Sequence, residues 1–290
     1  MIIVETPLQL LCAYEYLSSK ELREPIYLRL SKERNDRQMF AVTARLGINV
    51  IRVHTSFKPN YIFNNILFLY AMVKALLKKE HIVIGTISSG FLRITTRFFN
   101  KKTVVLLDDG IATLLEEKKD LNFERYSMFE TSRPTTEKNR FAALRSHYKN
   151  TSVLGDEVYF IGQKLVEVGI MKEDVYVDMI RSVAKDQTRI NYISHRGESH
   201  GKLSNIRSIA GVSVSDLDLP VELYLLEKEK SPRSIYTHSS TTAITTSILF
   251  PRTEVFIVNG FSIDESRFPH AKEYYDYINN HKIGKVITYG

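Results

Sequence analysis

The chain contains a single cysteine, Cys12, among 290 residues. That excludes an intrachain disulfide and any metal cluster built from several thiolates, and it suits a reducing compartment. No apolar run reaches the ~20 residues needed to span a bilayer. The most apolar stretch, residues 61–77, is interrupted by Asn64, Asn65 and Lys74. The opening MIIVETPLQLLCAYEYL has neither the basic segment nor the small-residue cleavage site of a signal peptide. A soluble, cytoplasmic protein is expected. Neither G-x-x-x-x-G-K-[ST] nor G-x-G-x-x-G occurs, so P-loop and dinucleotide readings lose their main support. There is no internal repeat, Arg/Lys-rich helix, RNP-type aromatic strand or zinc-finger spacing, which speaks against a nucleic-acid partner.

What is present is ordinary globular composition, 43% hydrophobic and 25% charged. At roughly 150 residues per domain, the length predicts two domains. The charge is unevenly placed. Residues 1–155 carry 24 Lys+Arg and 15 Asp+Glu, a balance of +9, whereas the remainder carries 16 and 18. The basic half suits an anionic partner such as a membrane surface, a nucleic acid or a polyanionic glycan, and also serves solubility.

Short apolar runs alternate with helical patterns. In the first half, strands are expected at 1–4, 25–30, 49–53, 81–84 and 103–107. Helices are expected at 8–17, 32–46, 59–79, 90–99 and 111–118. Pro7 suits the first turn of the first helix. The helix within 61–77 is expected mainly in the core. Residues 120–150 are polar and contain Ser132-Arg133-Pro134-Thr135-Thr136, and are taken as a mobile insertion and interdomain linker. In the second half, strands are expected at 158–161, 189–193, 212–214, 234–237 and 254–258. Helices are expected at 164–168, 173–185, 220–226, 241–249 and 274–280. Apolar strands separated by helices predict parallel sheets covered on both faces. The expected fold class is therefore α/β, with Rossmann-like domains over 1–155 and 156–290 facing a cleft.

Ligands of open α/β sheets bind beyond the carboxyl ends of the strands. Three polar clusters fall at such ends. Asp108-Asp109-Gly110 follows 103–107; its carboxylates suit a general base or a divalent cation, and equally a turn that caps the next helix. Ser194-His195-Arg196-Gly197-Glu198 follows 189–193. Its imidazole titrates near neutral pH, and Arg with His suits a phosphate. His238-Ser239-Ser240-Thr241-Thr242 lies between a strand and a helix, where hydroxyls and free N–H groups serve as helix cap or anion site. His195 and His200 lack the helical context of a zinc protease.

In order and placement these clusters resemble the motifs of bacterial sialyltransferases that cap lipooligosaccharides and capsules. That family shares D/E-D/E-G, an HP motif and paired serines, matched here by Asp108-Asp109-Gly110, His195-Arg196 and Ser239-Ser240. Arg196 stands where the family has proline. The start MIIVETPLQLLCA and the F-I-G-Q of residues 160–163 also resemble the family, and Glu222 falls 17 residues before Ser239. The resemblance implies a GT-B architecture with an acceptor-side N-terminal domain and a CMP-binding C-terminal domain. It implies metal-independent, inverting transfer of sialic acid from CMP-sialic acid to a galactose-type terminal sugar of a capsule or lipooligosaccharide. By the family pattern Asp109 is the general base, and Asp108 supports the turn or the acceptor. His195 is the general acid or electrostatic partner of the phosphate, which Arg196 also faces. Ser239 and Ser240 bind that phosphate, Glu222 holds the ribose, and Gly162-Gln163 borders the cytosine. Base and acid come from opposite domains, so the cleft must close to assemble the site.

No cofactor or metal is implied; the donor is itself the nucleotide sugar. The expected partners are that donor, a lipid-linked glycan acceptor and, peripherally, the anionic inner face of the cytoplasmic membrane. A homodimer is left open. The sequence also leaves open another CMP-activated acid such as Kdo or a legionaminic-type sugar, a non-catalytic nucleotide or polyanion binder, and a divalent-metal phosphoryl transferase using Asp108 and Asp109.

Overall fold

The computed structural model describes residues 1–31, 33–54, 59–85, 97, 99, 103–114, 123–130, 136–148, 153–268 and 271–289. The chain divides into two compact units, residues 1–147 with 218–220 and residues 148–217 with 221–290.

The first unit is built on a seven-stranded sheet whose strands all run parallel. The strands are β1 (Ile2–Val4), β2 (Ile26–Leu30), β3 (Val50–His54), β4 (Ile82–Ile84), β5 (Val104–Leu106), β6 (Glu124–Ser127) and β7 (Thr136–Lys138), in the order β3-β2-β1-β4-β5-β6-β7. β1, β4 and β5 are buried along their whole length. A parallel strand covered on both faces reads as a continuous apolar run, and these do. Helix α1 (Pro7–Ser19) leaves β1 directly. The Thr6 hydroxyl caps it by accepting from Gln9 N (3.3 Å), and Pro7 stands in its first turn. Helices α2 (Glu33–Leu46) and α3 (Ile62–Lys78, preceded by a 3₁₀ turn at Pro59–Tyr61) follow β2 and β3.

Two expectations fail here. The first concerns α3, which was expected mainly in the core. Only Asn65, Phe68 and Ala75 are buried, Phe68 and Ala75 in a core with Tyr27, Val53 and Ile82 and Asn65 hydrogen-bonded to the His54 backbone, while most of its other apolar side chains face solvent. When nearly every position is apolar, periodicity cannot say which face is inward. The second concerns the stretch 120–150. Its described parts hold β6, β7 and helix α4 (Ala142–His147). They are secured by side chains remote in sequence. Asp108 accepts from Ser127 Oγ and Met128 N (2.7 Å) beside β6. Glu15 on α1 accepts from Ala143 N (3.0 Å) and Leu144 N (2.7 Å) at the start of α4. The polar residues that looked like a linker thus hold the last two strands of the sheet and a helix, secured by buried carboxylates. The helix expected at 90–99 lies outside the described residues except for positions 97 and 99. Of the one expected at 111–118, residues 112–114 are helical, Ile111 forms an isolated β-bridge with Asp109, and 115–118 lie outside the described residues.

The second unit repeats the plan with six parallel strands. These are β8 (Val158–Ile161), β9 (Ile190–Ile193), β10 (Val212–Ser215), β11 (Ser234–Thr237), β12 (Glu254–Asn259) and β13 (Lys285–Thr288), in the order β10-β9-β8-β11-β12-β13. Its helices are α5 (Glu173–Lys185), α6 (His200–Arg207), α7 (Val221–Leu226), α8 (Thr242–Leu249) and α9 (Ala271–Asn280). One face of the sheet buries Phe160, Tyr176, Ile180, Tyr192, Ile206 and Val258 in a common core. Burying each such aliphatic or aromatic side chain contributes about 1.5–3 kcal/mol. The helix expected at 164–168 is a single turn instead. It closes at Gly169, whose φ of +72° is a left-handed conformation that glycine adopts without strain. The helix α6 and the edge strand β13 were not anticipated.

Both sheets thus share the strand order of a doubly wound Rossmann sheet. In each, the chain starts in the middle, winds outward one way, then returns to wind the other way. The reversal lies between β1 and β4 in the first unit and between β8 and β11 in the second. Connections leave these neighbouring strands toward opposite faces, which opens a crevice at their carboxyl ends.

Candidate active site

In the first unit, β5 ends at Leu106 and, after Leu107, the chain turns through Asp108-Asp109-Gly110, with Gly110 at φ +72°. The adjacent carboxylates have different fates. Asp108 is fully buried, and each of its oxygens accepts a hydrogen bond from the Ser127-Met128 segment. Asp109 is partly exposed. Its Oδ1 accepts from the Thr6 hydroxyl (3.3 Å) and its N–H donates to Thr113 Oγ1 (2.9 Å). Thr6 therefore caps α1 and positions Asp109 at once, drawing the end of β1 toward the end of β5. Gln9, also buried, accepts from Glu5 N (2.8 Å) and lies against Gly85 at the end of β4. A Cβ at Gly85 would fall 1.9 Å from Gln9 Cδ. Asp108 thus holds the Ser127-Met128 segment, and Asp109 is the carboxylate left partly exposed.

In the second unit, the reversal point holds Gly162 and Gln163 after β8, and His238, Ser239 and Ser240 after β11. These loops are joined. Gln163 Oε1 accepts from Ser239 N (3.0 Å), and Gln163 Nε2 donates to Ser239 O. Gln163 is buried, so this amide pair is shielded from water. A Cβ at Gly162 would meet Glu198 Oε2 at 2.4 Å and Tyr192 Oη at 2.5 Å, which explains the glycine. Ser239 is buried, with Oγ 3.0 Å from His238 Nδ1. Ser240 is half-buried and caps α8: its Oγ accepts from Thr242 N (3.2 Å), and its carbonyl accepts from Ala243 N (3.1 Å). Having accepted there, the Ser240 hydroxyl keeps its own hydrogen for another acceptor.

The loop after β9 carries His195 and Arg196. His195 Nδ1 accepts from Gly197 N (2.9 Å), which leaves the ring proton on Nε2. Burial, reinforced by the charges of Arg196, Lys164 and Lys202, lowers its pKa to about 4. The ring is neutral at pH 7. Glu222, in the first turn of α7, accepts from the Thr245 hydroxyl of α8 (2.7 Å). Burial raises its pKa, opposed by that hydrogen bond and by the nearby positive charge of Arg196. Glu222 and Arg196 are thus brought into electrostatic range, as are Arg196 and His195.

Sequence reasoning missed the group that holds this loop. Lys202 is fully buried on α6, and its ammonium donates to the Gln163 carbonyl (2.9 Å) and Glu167 (3.0 Å) and pairs with Glu198 (2.8 Å). Glu198 in turn accepts from Tyr192 Oη and from His195 N. Tyr176 Oη accepts from Gln163 N (2.9 Å) and contacts Tyr192 Oη (3.0 Å). One buried ammonium therefore ties the carboxyl ends of β8 and β9 together. Nothing local marks Lys202 as buried, although Ser199 three residues earlier signals the helix start it occupies: its hydroxyl accepts from Lys202 N. Among the described residues, no group of three or more His, Cys, Asp or Glu side chains is gathered as metal ligands are.

No protein-family model and no curated protein sequence matches the chain. Solved structures do. A putative UDP-N-acetylglucosamine 2-epimerase from Listeria monocytogenes superposes with a TM-score of 0.58 at 9% identity, over 97% of this chain and 88% of that one. An α/β-galactoside α-2,3-sialyltransferase from Photobacterium phosphoreum gives 0.52 at 11% identity, over 98% and 97%. The UDP-GlcNAc 2-epimerase of Methanocaldococcus jannaschii gives 0.52 at 15% identity, over 100% and 88%. At such identities the likeness establishes the fold, the GT-B-like pair of Rossmann-like sheets.

Proposed function

We propose that the protein is a glycosyltransferase that uses a nucleotide-activated acidic sugar, specifically a sialyltransferase acting from CMP-sialic acid on a galactose-type terminal sugar. One observation carries this reading. The paired serines stand at the reversal point of the second sheet, at the start of α8, locked to the end of β8 by the buried Gln163–Ser239 amide pair. That is where a doubly wound sheet receives the phosphate of a nucleotide.

The roles follow from the chemistry. The donor phosphate accepts from the Ser240 hydroxyl and the N-terminal turn of α8, with Ser239 behind it. Arg196 balances its charge. His195 offers its Nε2–H to the leaving phosphate; a neutral imidazole at pH 7 serves first as a hydrogen-bond donor. An anion placed beside the ring raises its pKa, so donor binding moves His195 toward the protonated form a general acid needs. Glu222 holds the ribose hydroxyls. The Gly162-Gln163 loop borders the base through its backbone, since the Gln163 side chain is spent on Ser239.

Asp109, partly exposed and oriented by Thr6, removes the proton of the acceptor hydroxyl as it attacks the anomeric carbon; Asp108 supports the turn. The C–O bond to CMP breaks as the new one forms on the opposite face, which inverts the configuration. A CMP phosphate already stabilised by hydrogen bonds leaves without a metal.

The test is an assay with CMP-sialic acid and a galactose-terminated oligosaccharide, with and without EDTA, the product read by mass spectrometry and NMR. A sialylated product with inverted configuration, unchanged by EDTA, supports the reading. Turnover with CMP-Kdo alone would move the donor to another CMP-activated acid. CMP binding without turnover would mark a nucleotide-binding protein. Interconversion of UDP-GlcNAc and its 2-epimer would replace transfer by epimerisation.

A further inference from the structure

Helix α3 exposes an apolar surface that the fold does not use. Of the fourteen large apolar side chains exposed among the described residues, nine lie on this one helix. Phe63 is 72% exposed, Tyr70 67% and Leu77 77%. At 3.6 residues per turn, Phe63, Ile66, Tyr70, Val73 and Leu77 stack along a single line opposite the buried Asn65, Phe68 and Ala75. Leu69 widens the stripe on one side, and Lys74 and Lys78 border it on the other. A contiguous apolar face of this kind marks an interaction surface rather than an ordinary exposed leucine.

The sequence that flanks it is strongly basic. Residues 37–107 contain eleven Lys+Arg and one acidic residue, Glu80. Lys74, Lys78 and Lys79 are all exposed. A second copy of the chain is a poor match. In a two-fold interface the same face meets itself, so a second copy would offer these lysines another apolar, basic surface rather than a field of anions. An anionic bilayer surface complements both the apolar stripe and the cations. The helix has 17 residues and two lysines in its C-terminal half, and no helix among the described residues is long and apolar enough to cross a membrane. It fits an element that lies in the interface with its apolar side toward the acyl chains.

We infer that α3 is a membrane-docking helix that holds the first unit reversibly on an anionic lipid surface, with Phe63, Ile66, Tyr70, Val73 and Leu77 inserted and Lys74, Lys78 and Lys79 at the headgroups. This is independent of the proposed sugar chemistry.

Sedimentation of the full-length protein with phosphatidylcholine vesicles, with and without phosphatidylglycerol, tests it. Three proteins are compared: the native chain, Phe63→Ser with Leu77→Ser, and Lys74→Glu with Lys78→Glu. All four side chains are exposed, and circular dichroism and the thermal unfolding midpoint check that each variant folds. The native chain should pellet with anionic vesicles and release as salt rises. Each basic residue near an anionic leaflet raises partitioning about fivefold, so the lysine variant should bind at least about twentyfold more weakly. The serine variant should lose about tenfold or more on every vesicle. Absence of pelleting at low salt, or equal pelleting with neutral and anionic vesicles, overturns the inference. So does a native dimer, by sedimentation velocity, that the serine variant makes monomeric while vesicle binding is unaffected.

Discussion

Gln163 and Ser239 are 76 residues apart in sequence and share two hydrogen bonds between amides. Gln163 Oε1 accepts from Ser239 N at 3.0 Å, and Gln163 Nε2 donates to Ser239 O. The pair fixes the loop after β11 to the end of β8, and with it the start of α8. The proposed phosphate site depends on that rigidity, since a donor displaced by ~1 Å loses much of its value. Four predictions concern the parts arranged around this pair and the acidic turn of the first unit.

Gln163→Ala leaves the Ser239 backbone without its side-chain partner. CMP affinity, measured by calorimetry, should fall although Gln163 itself contacts no phosphate. Ser239→Ala with Ser240→Ala removes the hydroxyls directly. A hydrogen bond to a charged group contributes about 1.5–3 kcal/mol, so the double variant should bind CMP more than tenfold less tightly. Unchanged affinity would reduce the serines to a helix cap.

Asp109→Asn keeps size and polarity but cannot accept the acceptor's proton. Steady-state kinetics should show kcat lowered by about 10²–10⁴-fold with CMP affinity nearly unaltered. Activity within twofold of the native enzyme would take Asp109 out of the mechanism. Asp108→Asn should act differently, through the Ser127 and Met128 contacts, and appear as a lower denaturation midpoint.

Lys202→Met strands Glu198 as a buried carboxylate. Breaking a buried pair in this way costs about 3–5 kcal/mol, which urea denaturation should register. Adding Glu198→Gln removes the stranded charge and should recover a large part of the loss. Additive destabilisation would mean that the two side chains do not act as a pair.

His238 is fully buried between Ser239 and Tyr275, and burial alone lowers its pKa to about 4. The folded value lies below that of the unfolded chain, so the unfolded state takes up the proton first as pH falls. The neutral ring's contribution is complete above about pH 6.5 and is lost as pH drops toward 4, by at most about 1.4 kcal/mol per pH unit. Buried carboxylates such as Glu198 and Glu222, whose pKa values are raised, work in the opposite direction. The difference between native and His238→Asn stability, measured from pH 7 to pH 4.5, isolates the histidine. It should narrow on acidification; a constant difference would refute the assignment.

The alternation of apolar runs and helices, and the placement of Asp108-Asp109-Gly110, Ser194 to Glu198 and His238 to Thr242 at strand ends, were legible because they are local. A buried parallel strand must be apolar throughout, and the chain must turn where it stops. The concentration of cationic residues in the first half is likewise a property of composition alone. Which member of a pair faces inward was not legible. Asp108 and Asp109 are the same residue type, and only the position of Ser127 and Thr6 separates a fold contact from a partly exposed carboxylate. The same holds for Lys202, whose burial depends on Glu167 and Glu198 arriving beside it. It holds for the described parts of residues 120–150, where Glu15 and Asp108 secure polar sequence as two strands and a helix, and for α3, whose apolar pattern says nothing about which side meets the sheet. Each of these depends on partners far away in the chain, and a contact between distant segments exists only once the sheet has brought their ends together.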